Sequence, residues 1–129
     1  MANSLPGNRL RWLPWLFAAG AVFWLIELTQ FAAVVSAPAG RAQLVQSLAN
    51  SGLTRDAARM LIVESVVIVF LEACAIALHA AAYYGLRRQQ GWGWAAATVA
   101  SAGWSLVVVG IPVLVFLLQK RTRAVYGIP

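Results

Sequence analysis

The sequence predicts an all-α integral membrane protein: a three-helix bundle with a short interfacial amphipathic helix between its first and second spans. Three observations carry that reading. Of 129 residues, 61% are hydrophobic and 11% charged, far more apolar than an average globular domain. Three runs, roughly residues 12–36, 58–86 and 92–118, have the length needed to span a bilayer, and none alternates as a barrel strand must. The charges are also sorted: ten Lys and Arg flank the runs, Glu27, Glu64 and Glu72 lie inside them, and only Asp56 falls in a loop. No room remains for a separate soluble domain, so residues 1–129 read as one transmembrane domain.

The net charge of +6 would suggest nucleic acid in a soluble protein. Here the bases sit where membrane proteins anchor to headgroups, so the expected partner is the lipid bilayer and not nucleic acid. The sole cysteine, Cys74, lies mid-run, where it serves as a small apolar filler.

Taken in order, residues 1–11 form a polar tail, after which Trp12 and Trp15 mark headgroup level. Pro14 falls in the first helical turn, where its missing N–H breaks no bond. Arg9 and Arg11 before an apolar run ending in Val35-Ser36-Ala37 mimic a secretory signal. The run is too long for one, however, contains Glu27, and would require cleavage before Pro38. Pro38 and Gly40 are expected to end this first helix. Residues 41–51 then place Leu44, Val45 and Leu48 opposite Gln43, Gln46 and Ser47, an interfacial pattern that closes at Asn50-Ser51-Gly52 with a left-handed cap.

Thr54 is the expected N-cap of the second long helix, with Asp56 in its first turn. From Met60 to Leu86 the chain is almost wholly apolar, about 27 residues or roughly 40 Å of helix. Tyr83, Tyr84, Arg87 and Arg88 mark its exit. The tight link RRQQGWG makes the third run an antiparallel neighbour of the second. In that third run Ala97, Ser101 and Ser105 repeat every four residues, a small stripe that admits another helix at close range. Gly110 and Pro112 are expected to kink its outer third. Lys120, Arg121 and Arg123 anchor the far end before a short tail.

With three spans, the N-terminus and the Arg87-Arg88 link share one side with four bases, and the Arg41–Arg59 loop and C-tail share the other with six. This leans to N-terminus out. The anchors are Trp12, Trp15, Trp92, Trp94, Arg87, Arg88, Lys120, Arg121 and Arg123.

The functional question lies with Glu27, Glu64, Glu72 and His79, because ionisable groups at membrane depth are costly and usually have a role. At 100° per residue, Glu72 and His79 lie about 20° apart and Glu64 about 80° from Glu72, one stripe of the second span. Glu27 is expected at a similar depth, giving three carboxyls along one seam. They require protonation, a cation, or basic donors from another chain. A bis-His haem site cannot be built within a chain holding a single histidine, though His79 could supply half of a shared site. A Glu-Glu-His metal site is a weaker possibility on this spacing. A lipid or quinone in the seam is compatible with the pattern, and no cofactor is specified.

No Ser-His-Asp spacing, phosphate loop or Cys-x-x-Cys motif is present, so no enzymatic activity is expected. The general plan, with the link RRQQGWGWA and a basic close, is similar to that of many small multi-span bacterial proteins, which implies a bacterial cytoplasmic membrane. Three-span proteins with buried glutamates also occur as small subunits of respiratory and antiporter-type complexes. The expected function is a non-catalytic accessory or assembly subunit of a larger membrane complex, docking a larger subunit or a second copy through its acids. The alternative is a small oligomeric channel or transporter using them as proton or cation sites.

Overall fold

A computed structural model describes residues 10–52, 56–106 and 110–129. Every regular element among them is helical: α1 (Leu13–Ser36), α2 (Pro38–Asn50), α3 (Ala57–Arg87), α4 (Gly91–Ser105), α5 (Gly110–Leu118) and α6 (Lys120–Val125). Two of these, α1 and α3, are long and apolar enough to cross a membrane, and almost nothing along either stretch is buried. The hydroxyls on α1 are hidden locally. Thr29 donates to Leu25 O at 2.7 Å and Ser36 to Ala32 O at 2.7 Å, so neither needs an outside partner.

The break after α1 is tighter than expected. Ala37 is extended at φ −77°, ψ 129°, as a residue before proline must be, and Pro38 opens α2 at once. Pro38 and Gly40 therefore belong to the first turn of α2, which begins three residues before the expected 41. Gly40 is buried, and a Cβ there would fall on Val34 O. At the other end Gly52 takes φ 92° and donates to Ala49 O at 3.1 Å, the left-handed cap the sequence predicts. Leu44, Val45 and Leu48 are half-buried. The predicted N-cap Thr54 and its neighbour Arg55 lie outside the described residues, as does Arg9.

Helix α3 runs 31 residues and closes with a Schellman motif. Gln90 N–H bonds Gly85 O at 2.9 Å, Gln89 N–H bonds Leu86 O at 3.1 Å, and Gln89 holds the left-handed position at φ 54°. The chain reverses, and α4 returns beside α3. Gly85 and Gly93 face one another so closely that a Cβ on either would meet the other's backbone.

The third run does not form one span. Helix α4 ends at Ser105, Val107 to Val109 lie outside the described residues, and α5 packs back along α4. Gly110 rests on Ser101 O, with Ser105 N and Trp104 C beside it. Twenty-three residues apart in sequence, Trp94 Nε1 donates to Leu117 O at 2.9 Å. This bond satisfies a carbonyl of the last turn of α5, which has no acceptor role left inside its own helix. The small stripe Ala97, Ser101, Ser105 does receive a helix, and that helix is the other half of the same run. At 15 and 9 residues, α4 and α5 reach about 22 and 13 Å, short of the roughly 30 Å hydrocarbon core.

The fold-back also corrects the placement of the C-tail. Val125 and Tyr126 line the same cavity as Leu10, Arg11, Pro14, Leu86 and Arg87, so the tail lies at the end of α4–α5 where the chain enters, beside the N-terminal segment. A second Schellman motif fixes it, with Gly127 at φ 69°, Gly127 N–H on Ala124 O and Ile128 N–H on Arg123 O. Ile128 packs on the core and Tyr126 is 5% exposed.

The chain forms two compact units: Met1–Val22 with Ala75–Pro129, and Phe23–Cys74. The core of the first joins Leu13, Phe17, Ala82, Leu86, Ala97, Ala100, Leu117 and Tyr126. In the second, Ala57 and Leu61 are the buried apolar residues of α3.

The variant Gly110→Ala separates the fold-back from a continuous span. In a continuous helix interior, Ala in place of Gly would stabilise by up to about 1 kcal/mol. Against the backbone of Ser101 it is expected to destabilise by about 1–3 kcal/mol, read as a lower melting temperature of the detergent-solubilised protein.

Candidate functional site

His79 sits on α3 within the first unit and is 4% exposed. Its two ring nitrogens have different partners. Trp104 Nε1 on α4 lies 2.8 Å from His79 Nε2, and His79 Nδ1 lies 2.7 Å from Ala75 O, one turn back on α3. An indole N–H can only donate, so Nε2 accepts and the proton of this imidazole is on Nδ1, donated to Ala75 O. The third wall is α1. Phe17 stands 6.1 Å from the imidazole, centroid to centroid, and Gly20 lies so near that a Cβ there would collide with Cδ2 and sit 3.0 Å from Nε2. The Trp104 ring meets the imidazole edge-on, at 90° and 6.2 Å.

Three helices thus converge on one neutral imidazole with both nitrogens engaged. Ligation of a shared haem or a metal would require breaking one of these two bonds, so the site as built does not fit half of a haem site. Among the described residues, no three His, Cys, Asp or Glu side chains gather as a metal-holding group.

The three glutamates belong to the second unit. Glu27 is half-buried on α1, Glu64 is exposed on α3, and Glu72 is half-buried at the midpoint of α3. The Oε2 atom of Glu72 is enclosed and has no hydrogen-bond partner, and the same holds for Ser65 Oγ, seven residues earlier on the same face. Around Glu64 the surface is apolar: Ile62, Val63 and Val66 are 65%, 57% and 63% exposed.

The predicted anchors divide. Trp12, Trp15 and Trp92 stay about half exposed or more. They belong to a chain of contacts with Phe116 (5.6 Å from Trp12), Tyr83 (5.7 Å from Trp15) and Tyr84 (6.5 Å from Trp92). Arg87 Nη1 donates to Tyr83 Oη at 2.9 Å, and Arg88 lies 4.2 Å over the Tyr84 ring, a cation–π contact. Lys120 and Arg121 are exposed at the start of α6, where Arg123 is half-buried. Trp94 turns inward instead and clasps α5.

Sequence reasoning missed Trp104, Gly20 and Phe17 as companions of His79. A signal was present in Trp104, a tryptophan deep in an apolar run, whose indole N–H needs an acceptor wherever it is buried. The chain matches no protein-family model, no curated protein sequence and no solved structure.

Gly20→Ala is expected to lower stability by about 1–3 kcal/mol, and Trp104→Phe by about 1–2 kcal/mol through the unpaired imidazole nitrogen. Because the Gly20 penalty is a collision with one ring, it should largely vanish in a His79→Ala background. A double-mutant cycle of thermal melts checks this, and strictly additive costs would show that the two residues do not touch.

Proposed function

We propose that the chain is a polytopic membrane protein that serves as a non-catalytic accessory or assembly subunit of a larger membrane complex. The observation that carries the proposal is Glu72: a carboxyl at the midpoint of the most apolar helix, with one oxygen enclosed and unpartnered and the residue half open to its surroundings. In hydrocarbon such a group calls for a donor from outside the chain. Exposed Val69, one turn earlier on the same side of α3, with exposed Val66, Phe70 and Leu71 farther round the helix, offers the apolar contact area an assembling helix would cover.

In this reading α1 and α3 are the spans, α2 lies along the interface, and α4–α5 is a re-entrant hairpin. Non-spanning backbone at membrane depth is tolerated where protein covers it, which again favours a partner. The fold-back brings Lys120, Arg121 and Arg123 to the end of the first unit that holds Arg11, Arg87 and Arg88, six of the ten bases. The positive-inside rule then orients both termini toward the cytoplasm, reversing the lean that a three-span layout gives.

Two outcomes are expected. In native membranes, Glu72→Gln should reduce stoichiometric co-purification of a larger subunit in mild detergent, while leaving the melting temperature of the isolated chain nearly unchanged. A clean homo-oligomer in which Glu72→Gln abolishes ion flux and spares assembly would replace the subunit role with transport. Separately, reporters fused to the N- and C-termini should signal the same compartment, and opposite signals would restore a third span.

A further inference from the structure

All four acids of the chain lie between Glu27 and Glu72, in the second unit, whereas the first unit holds seven bases and no carboxylate side chain. Its cationic end has no counter-ion among its own side chains. At that end lies a cavity of about 300 Å³, at the small end of ligand-site volumes and large enough for a phosphodiester headgroup. Arg11 from the segment before α1 and Arg87 from the last turn of α3 both line it, with Trp15, Tyr83, Gln89 and Tyr126.

The cavity is built rather than incidental. Pro14, Leu86 and Tyr126 behind it are buried core residues. The Arg87 guanidinium is oriented by its bond to Tyr83 Oη, and Tyr83 is braced against the Trp15 ring. Burial pushes the Tyr126 phenol above its usual pKa, so at neutral pH it presents an O–H and adds no negative charge. Guanidinium groups bind phosphate through paired N–H donors, and no lining residue competes as an acid. The exposed Trp12, Trp15 and Trp92 around this end mark headgroup depth.

We propose that this cavity binds the phosphate of an anionic ligand through Arg11 and Arg87, supplied at this depth by an anionic phospholipid headgroup. The assignment rests on the reading of α1 and α3 as membrane spans and is independent of the subunit role.

The test uses the full chain, delipidated in a neutral detergent, with melting temperature followed during titration with dihexanoyl-phosphatidylglycerol, dihexanoyl-phosphatidylcholine or inorganic phosphate. Phosphatidylglycerol should stabilise saturably. The Arg11→Gln/Arg87→Gln variant should weaken its apparent affinity about tenfold or more, as loss of charge-assisted contacts does, while Arg41→Gln, with one charge removed elsewhere, should not. Inorganic phosphate acting with the same arginine dependence would support the site and identify free phosphate as its ligand. Equal stabilisation by phosphatidylcholine, or no change in the double variant, would overturn the proposal. If the glutamine variant fails to fold, Arg11→Lys/Arg87→Lys keeps the charge and removes the fork, and unchanged affinity there would overturn it equally. Release of the chain from membranes by alkaline carbonate would defeat the membrane reading and with it the lipid as the source of the phosphate, while the phosphate titration would still test the Arg11–Arg87 site itself.

Discussion

The hydrogen-bond relay from Trp104 through His79 to the Ala75 carbonyl is the constraint on which the first unit depends. A buried imidazole needs both nitrogens satisfied, and this one draws on two helices to do it. Trp104 must dock at the level of His79, which fixes how far α4 descends along α3 before the chain turns back. Gly20 sets the approach of α1, because no side chain fits between its backbone and the ring. The glycine pair Gly85 and Gly93 permits the same intimacy at the opposite end of α4. Two close-packing points, one polar and one of bare backbone, therefore hold α4 against α3.

Much of the helical layout was legible because its signals are local. Trp12 and Pro14 mark the start of α1, Gly52 the end of α2, and Tyr83 through Arg88 the exit of α3, each by the chemistry of a single turn. The third run hides its break for an equally physical reason. Hydropathy sums over a segment and carries no direction, so two short apolar arms folded together look like one long one. The sequence between Ser105 and Gly110 holds no polar turn residue, and the stripe Ala97, Ser101, Ser105 announces a close neighbour without saying which. His79 was picked out as buried and polar, yet its partners come from residues 17, 20 and 104, separations no spacing rule addresses.

The two units treat their hydroxyls alike and differ in their charges. In α1 and α4 the hydroxyls of Thr29, Ser36, Thr98 and Ser105 bond back to carbonyls of their own helix, so they ask nothing of their surroundings. Carboxyls cannot do this, since a helix interior offers them no free donor. The polar need that remains on the long helices is thereby concentrated in the acids of the second unit, while the first unit gathers bases at one end. The bases of the first unit differ from the acids in finding neighbours one turn away, Arg87 at Tyr83 and Arg88 over Tyr84, whereas Glu72 Oε2 has none.

The hairpin of α4 and α5 bears on how the chain is made. Neither arm is long enough to be handed to the bilayer alone, and the carbonyl of Leu117 that Trp94 engages is synthesised 23 residues after the indole that needs it. Helices α1 and α3 are each long and apolar enough to cross a membrane singly, whereas the last third is divided between two shorter arms that hold each other. The closing pair of helices is therefore settled only when both arms exist: a chain that stops between Ser105 and Leu117 has its Trp104–His79 contact complete but lacks the carbonyl that the Trp94 indole engages.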